Sequence, residues 1–260
     1  MPSEPSAGTS VDAFHRGRFW LVQPAGAGHR AGLDAMVLAA AVPGGFSGTL
    51  ADLGAGAGAA GLAVIARCAT ARTVLVEHSA EMARCARQSL ALVQNAELAA
   101  RASVTEADVT LTGKARANAG LADNSFDYAI MNPPFNAGAD RPTPDPLRRQ
   151  AHVMEDDLWE RWLRTAAAIV RPRGGLAAIA RPDSLPDIFP AMKGRFGAVE
   201  MMAVYPRAGQ PAIRIVLRAL RGSRKRLAVA PPLVLHEAAG NRFTARADNI
   251  CNGQQSLFGD

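Results

Sequence analysis

AVEMMAVYPRAGQPAIRIVLRAL, Ala198 to Leu220, is the stretch on which the fold turns. Two apolar runs, AVEMMAVYP and AIRIVLRAL, are separated by RAGQP alone. So short a connection cannot hold a crossover helix; the runs form a hairpin, and the last strand runs antiparallel to the rest. Upstream, from about Thr49, the pattern is different. TLADLG, TVLVE, RASVTEAD, FDYAIMN and GGLAAIA are short runs of strand character, while AAGLAVIARC, SAEMARCARQSLALVQNAEL and DDLWERWLRTAAAIV carry apolar residues at helical spacing. Strand and helix alternating in this way predict right-handed βαβ crossovers and a parallel sheet covered on both faces. The expected fold is α/β and doubly wound, with a mostly parallel, seven-stranded sheet ending in a C-terminal antiparallel hairpin.

Three parts follow from this pattern. Residues 1–48 read as a tail (MPSEPSAGTS) and a helix within HRAGLDAMVLAAAVP, with Asp34 as its N-cap and Pro43 at its end. Residues 49–220 form the core domain. Residues 221–260 are first basic and then proline-rich (APPLVLHEAAG), and are expected to pack on the core as a strand-like extension.

Composition sets broader bounds. A chain of 260 residues, 48% hydrophobic and 20% charged, is long enough to bury a full core. No run reaches the roughly 18 apolar residues of a membrane helix, and the N-terminus lacks the basic start and apolar stretch of an export signal, so a cytoplasmic protein is expected. Cys68, Cys85 and Cys251 are too scattered for a disulfide framework or a four-ligand zinc site. His15, His29, His78, His152 and His236 show no HxH or HExxH spacing, so nothing points to a metal. A net charge of +6 favours phosphate backbones but also serves solubility. Two segments concentrate the positive charge, Arg141 to Arg149 and Arg218 to Arg226. Each is a candidate RNA contact or simply a solvated face.

ADLGAGAGAAG places Asp52, Gly54, Gly56 and Gly58 at alternate positions after a strand and before a helix. Glycine lets the backbone turn sharply and approach a ligand, and a helix start offers unpaired N–H groups. Glu77 ends the next strand about twenty residues on, where a carboxylate can accept hydrogen bonds from both ribose hydroxyls. These features indicate a nucleoside cofactor, and NAD satisfies them as well.

FDYAIMNPPFN, Phe126 to Asn136, separates the possibilities. A fourth strand followed by Asn132, Pro133, Pro134 and Phe135 is not recurrent in NAD enzymes. Together with the sheet and the glycine loop, the motif resembles the S-adenosylmethionine-dependent methyltransferases that act on amino groups, from about Thr49 to Leu220. That resemblance implies S-adenosyl-L-methionine as cofactor and no metal, since the leaving group is already a cation that becomes neutral. It also places Asp108, in EADVT, near the adenine amino group, although a turn or N-cap role suits the residue equally. The chemistry accounts for the residue types. An exocyclic amine on a base is a weak nucleophile because its lone pair is delocalised into the ring. The Asn132 side-chain oxygen and the Pro133 carbonyl can each accept one amine hydrogen and hold the nitrogen for in-line attack. Pro133 and Pro134 stiffen the loop, and Phe135 offers a face on which a base stacks. The bland alternative is a Pro-Pro turn with Phe135 folded into the core.

Arg30 to Leu38 is similar to the Lys/Arg-x-Gly-x-Asp-x-x-Leu-Leu segment that precedes the cofactor domain in the bacterial tRNA1(Val) adenine-37-N6 methyltransferase family. The resemblance spans about Gly17 to the early 250s. It implies Arg30, Gly32 and Asp34 as a cofactor-side lid, with Asp52, Gly54, Gly56, Gly58, Glu77, Asp108 and Asn132 lining the cofactor site. Leu33 stands where threonine is usual there, and RPTPDPLRR replaces a differently composed loop beside the base pocket. The expected acceptor is therefore adenine N6 in tRNA, the enzyme being a monomer or homodimer. Alternatives are the glutamine side chain of a protein, against which the short segment before the core argues, a small-molecule oxygen or nitrogen, and a non-catalytic RNA-binding protein.

Overall fold

The computed structural model describes residues 8–25, 31–134 and 157–260. Arg30, Phe135 and the basic segment from Arg141 to Arg149 lie outside the described residues. The chain opens with a hairpin that the sequence pattern did not disclose, β1 (Thr9–Phe14) and β2 (Phe19–Pro24), paired from Thr9↔Pro24 to Phe14↔Phe19. Part of the expected tail, Thr9 and Ser10, is therefore strand. Then follow α1 (Leu33–Ala40), β3 (Gly48–Leu53), α2 (Ala59–Arg67), β4 (Ala71–Glu77), α3 (Ala80–Ala91), α4 (Ala96–Ala99), β5 (Ala102–Glu106), α5 (Gly113–Asn118) and β6 (Phe126–Met131). The second half holds α6 (Leu158–Ile169), β7 (Val170–Ala180), α7 (Leu185–Met192), β8 (Phe196–Tyr205), β9 (Arg214–Arg221), β10 (Ala228–Val229), β11 (Leu233–Val234) and α8 (Ala245–Cys251).

The main sheet runs β10-β8-β9-β7-β6-β3-β4-β5, with β11 also on β8, nine strands in all. Strands β3 to β7 are mutually parallel, and β9 is antiparallel to both β7 and β8. The RAGQP connection thus makes the hairpin its length dictates. The sheet has two strands more than the seven expected, because β10 and β11 add to the free edge of β8, at Ala228↔Glu200 and Leu233↔Val204. An added strand satisfies N–H and C=O groups that an open edge would leave bare.

Burial on both faces explains why the parallel strands are nearly all apolar. Leu50 and Ile130 point to the layer formed by α1, α2 and the C-terminal segment, whereas Leu53 and Met131 point to that of α6 and α7. Each of these fully buried side chains contributes about 1.5–3 kcal/mol by leaving water. Helix α6 shows the same logic: Trp159, Trp162, Leu163, Ala166 and Ile169 form its buried stripe, at helical spacing.

Two local expectations are corrected. The N-cap of α1 is Gly32, without a side-chain cap, and Asp34 sits inside the first turn. Its carboxylate instead accepts from Arg214 Nε at 2.8 Å, an ion pair that anchors the helix start to the hairpin strand β9. Arg218 is not a freely solvated side chain either. Its guanidinium donates to Glu200 (2.5 Å) and Asp260 (2.6 Å) and lies 4.3 Å over the Phe258 ring. Arg221 donates to Asn124 and the Val170 carbonyl. Of the basic residues of that segment only Arg224, Lys225 and Arg226 are exposed, next to the start of β8 and hence at the amino-terminal edge of the sheet. No described helix is long and apolar enough to cross a membrane.

Candidate active site

Parallel register brings the candidate residues to one edge. Leu53 pairs with Val76 on one side and Met131 on the other, and Glu77 pairs with Glu106. The residues that follow, at the glycine loop, after β5 and at Asn132, therefore share the carboxyl edge of the sheet. Strand order reverses at β3, flanked by β4 and β6, and a crevice opens outside such a reversal point.

The loop is shaped by left-handed glycines. Gly54 has φ +70°, and a Cβ there would lie 2.5 Å from Trp162 Cη2, so the Trp162 ring forms a wall against the loop. At Gly56, φ +57°, an added Cβ would meet only Met82 Cε at 3.6 Å, so space lies over the backbone. The Gly54 and Ala55 N–H groups are held by the Val76 carbonyl at 2.9 and 3.0 Å. Glu77 accepts the Gly56 N–H on one oxygen and the Ser79 N–H on the other, both at 2.7 Å. Its carboxylate thus spans the loop and the start of α3, with the remaining lone pairs open to further donors.

Asp52 is placed differently from the expectation. It is buried beneath the loop, and its Oδ2 accepts the Gly61 N–H at 2.7 Å. Gly58, the α2 N-cap, has no side-chain acceptor, so Asp52 satisfies one of the helix's orphan donors from across the strand. Burial pushes its carboxyl up to about 7; the Gly61 bond pulls it down, and Glu77 pushes it up further. Asp52 braces the loop from below. Asp108 takes the turn role that the sequence left open. Its Oδ1 accepts from the Thr110 N–H and hydroxyl, each at 2.7 Å, a turn-forming pattern. Burial raises its pKa, but the two Thr110 bonds and the charges of His78 and Arg161 outweigh it and hold the carboxyl below the ordinary value.

Asn132 follows β6 directly, and its Oδ1 is buried and has no hydrogen-bond partner among the described residues. A buried amide oxygen left unpaired costs about 1–3 kcal/mol. Pro133 is buried and Pro134 half-buried beside it. On the lid side Gln23, itself buried, accepts the Ala31 N–H at 2.7 Å and donates to Asp12 at 2.8 Å, pinning the chain before Gly32 to the N-terminal hairpin. Gln23, Trp162 and Arg214 were not singled out in the sequence. Only Trp162 left a signal, as part of the apolar stripe of α6. Among the described residues no cluster of three or more His, Cys, Asp or Glu could hold a metal ion.

Comparison with known proteins gives these features a context. Residues 29–207 match the family model described as Methyltransferase small domain. Among solved structures, a predicted O-methyltransferase, protein Atu636 from Agrobacterium tumefaciens, is 44% identical with TM-score 0.75, over 86% of this chain and 98% of that one. The 16S rRNA N2 G1207 methyltransferase of T. Thermophilus, in complex with AdoMet and guanosine, is 22% identical with TM-score 0.51, over 82% of this chain and 50% of that one. P. horikoshii TYW2 in complex with MeSAdo is 12% identical with TM-score 0.53, over 84% of this chain and 73% of that one. No curated protein matches the chain.

Proposed function

The chain belongs to the methyltransferase small domain family and is an S-adenosylmethionine-dependent methyltransferase; we propose that its acceptor is the exocyclic amine of a base in RNA, adenine N6 in tRNA. The orphaned Oδ1 of Asn132 carries this reading. A buried acceptor without a donor is a standing cost, and an amine hydrogen relieves it.

The residues present suit the cofactor. The space over Gly56, the Glu77 carboxylate between loop and helix, and Asp108 beyond the next strand form a row along the carboxyl edge that matches a nucleoside with an amino-acid tail. When bound, S-adenosylmethionine supplies an electrophilic methyl group. Gly56 gives backbone access to it, Gly54 and Gly58 let the loop turn tightly against Trp162 and Leu75, Glu77 accepts from its ribose, and Asp52 keeps the loop in shape from below. The Asn132 oxygen and the Pro133 carbonyl each take one hydrogen of the acceptor amine. With both hydrogens held in place, the nitrogen faces the cleft, and orientation lowers the barrier. Phe135 supplies the stacking face for the base. Support for RNA as carrier comes from the Arg30 to Leu38 segment and from the net charge of +6.

The 44% identity to a protein described as a predicted O-methyltransferase favours a second reading, a hydroxyl acceptor. A hydroxyl has one hydrogen, which leaves one of the two acceptors idle, and it needs a base near neutrality. Asp52 has such a pKa, about 7, but it is buried under the loop with Oδ2 committed to Gly61. The amine reading therefore uses the site more completely.

The test is methyl transfer from labelled S-adenosylmethionine into total small RNA, into protein extract and into small-molecule extract, with nucleoside digestion of any labelled RNA. Label in N6-methyladenosine is the expected result. Label in protein alone transfers the amine role to a glutamine amide, and alkali-stable label in a methyl ether establishes the hydroxyl reading.

A further inference from the structure

Among the described residues, Arg181 and Arg214 lie at the same edge of the sheet as Asn132, whereas Arg218 and the residues after it descend toward the opposite edge. Met131 pairs with Ala178 and Ala180 with Ile215, so Arg181 and Arg214 stand side by side where β7 and β9 meet the carboxyl edge. Alternation gives the face. Ile130, Ile179 and Val216 all pack in the layer of α1 and α2, and Asn132, Arg181 and Arg214, each two positions away, have the same parity. Arg214 confirms the assignment through its ion pair with Asp34 in the first turn of α1. The strand of Arg214 lies two strand spacings, roughly 10 Å, from that of Asn132, and Arg214 stands two residues, roughly 7 Å, further along the strand direction. Side chains reaching out from positions this far apart can span an exocyclic amine and the phosphate of the same nucleotide.

We propose that Arg214, with Arg181 beside it, binds the phosphate of the acceptor nucleotide while Asn132 and Pro133 hold its amine, and that the phosphate joins or displaces Asp34, one of the partners this pair already holds. The inference rests on the reading of a nucleotide acceptor given above. A guanidinium presents a planar fork suited to two phosphate oxygens, and it stays charged at any working pH. Half-buried at the rim, Arg214 is screened less than a fully exposed arginine, so the contact discriminates more strongly. Two grips a fixed distance apart act as a ruler: a base presented without its phosphate engages only one of them. Placing the guanidinium pair beside β6 also gives the C-terminal hairpin a role in acceptor choice, since its antiparallel strand is what returns Arg214 to this edge.

The experiment measures binding of a fluorescein-labelled, in vitro transcribed small-RNA pool to the S-adenosylmethionine-loaded protein, with adenosine and adenosine 5′-monophosphate as competitors. The cofactor affinity of every variant is measured in parallel. Arg214→Gln and Arg181→Gln are expected to weaken RNA binding roughly 10- to 100-fold and lower the salt slope by about one, at unchanged cofactor affinity. Arg214→Lys should recover only part of the loss, because the charge returns without the fork. Asp34→Asn should strengthen RNA binding at low salt, since it removes the competing carboxylate. If Arg214→Gln and Asp34→Asn weaken RNA alike, the pair merely props α1 and the proposal is overturned. A fall in cofactor affinity parallel to the fall in RNA affinity also overturns it, placing Arg214 on the cofactor side. Competition by the monophosphate but not by adenosine supports a phosphate site; if RNA itself does not bind, direct calorimetric binding of the monophosphate that is lost in Arg214→Gln makes the source a free nucleotide. If the wild type binds neither, the nucleotide reading itself fails, and this site with it. If it binds RNA equally well without Arg214, only the site fails.

Discussion

Replacing Asn132 by alanine should separate stability from activity. The side-chain oxygen is buried without a partner among the described residues, so the free protein carries a desolvation cost of about 1–3 kcal/mol at this position. Truncation removes that cost and loses side-chain packing on the order of 1 kcal/mol, small because Asn132 is only half-buried as a whole. The ligand-free variant should therefore be as stable as the wild type or up to about 2 kcal/mol more stable. For a domain of this size each kilocalorie moves the melting temperature by about 2–4 °C. Turnover should fall the other way. Losing one fixed hydrogen-bond partner of the reacting group costs on the order of 10²–10³ in kcat, as for an oxyanion-hole donor. Urea denaturation without cofactor, calorimetric titration of S-adenosylmethionine and single-turnover methyl transfer supply the three readouts. A variant that is clearly less stable than the wild type yet within tenfold of its rate would refute the reasoning, because Asn132 would then be a structural polar residue whose partner is in the protein.

Three more outcomes can be checked. Asp52→Asn keeps an acceptor for the Gly61 N–H but cannot ionise. In the wild type the folded state retains a proton up to about pH 7 that the unfolded chain gives up near its ordinary carboxylate value, so stability falls as pH rises through that window. Stability of wild type minus that of the variant should drop by up to roughly 4 kcal/mol from pH 3.5 to 8, and a flat difference profile contradicts the buried-brace role. Gly54→Ala combines a left-handed φ with a contact to the Trp162 ring, and should lower stability by more than the ~1–2 kcal/mol of the backbone alone while weakening cofactor binding. Adding Trp162→Phe should restore only the part due to contact, which thermal melts of the single and double variants will show. Arg218→Ala should cost about 1–3 kcal/mol in denaturation, because it strips Glu200 and Asp260 of their partner, and should leave RNA binding unaltered; reduced RNA affinity at intact stability would restore Arg218 as a contact.

Much of this was legible in one dimension because its cause is local. RAGQP is too short for a helix whatever surrounds it, alternating glycines before a helix announce a backbone that turns left-handed, and a strand halted by Asn-Pro-Pro marks an edge. The N-terminal hairpin left no comparable signal. Its turn runs through His15 and Arg16 at φ 47° and 55° without a turn-forming dipeptide, and its strands are stabilised by distant partners, Ser89 and Asn95, which bind the backbone of Val22 and Trp20. The burial of Asp52 was not legible, because alternate spacing shows that a carboxylate adjoins the loop but not how deeply it lies.

The arginines show the limit most sharply. Arg214 and Arg218 lie four positions apart in one strand, so they share a face, yet about 13 Å of strand rise separates them. Read as charge along the chain, Arg218 begins the longer basic run and looks like the better ligand for a polyanion. In the folded sheet the direction of β9 decides. Because β9 is antiparallel, its first residue returns to the carboxyl edge beside β7, while its later residues descend toward the amino edge and meet Glu200 and the C-terminal residue Asp260. The same short connection that betrays the fold therefore also determines which cation stands at the carboxyl edge, and charge counting without strand direction does not show it.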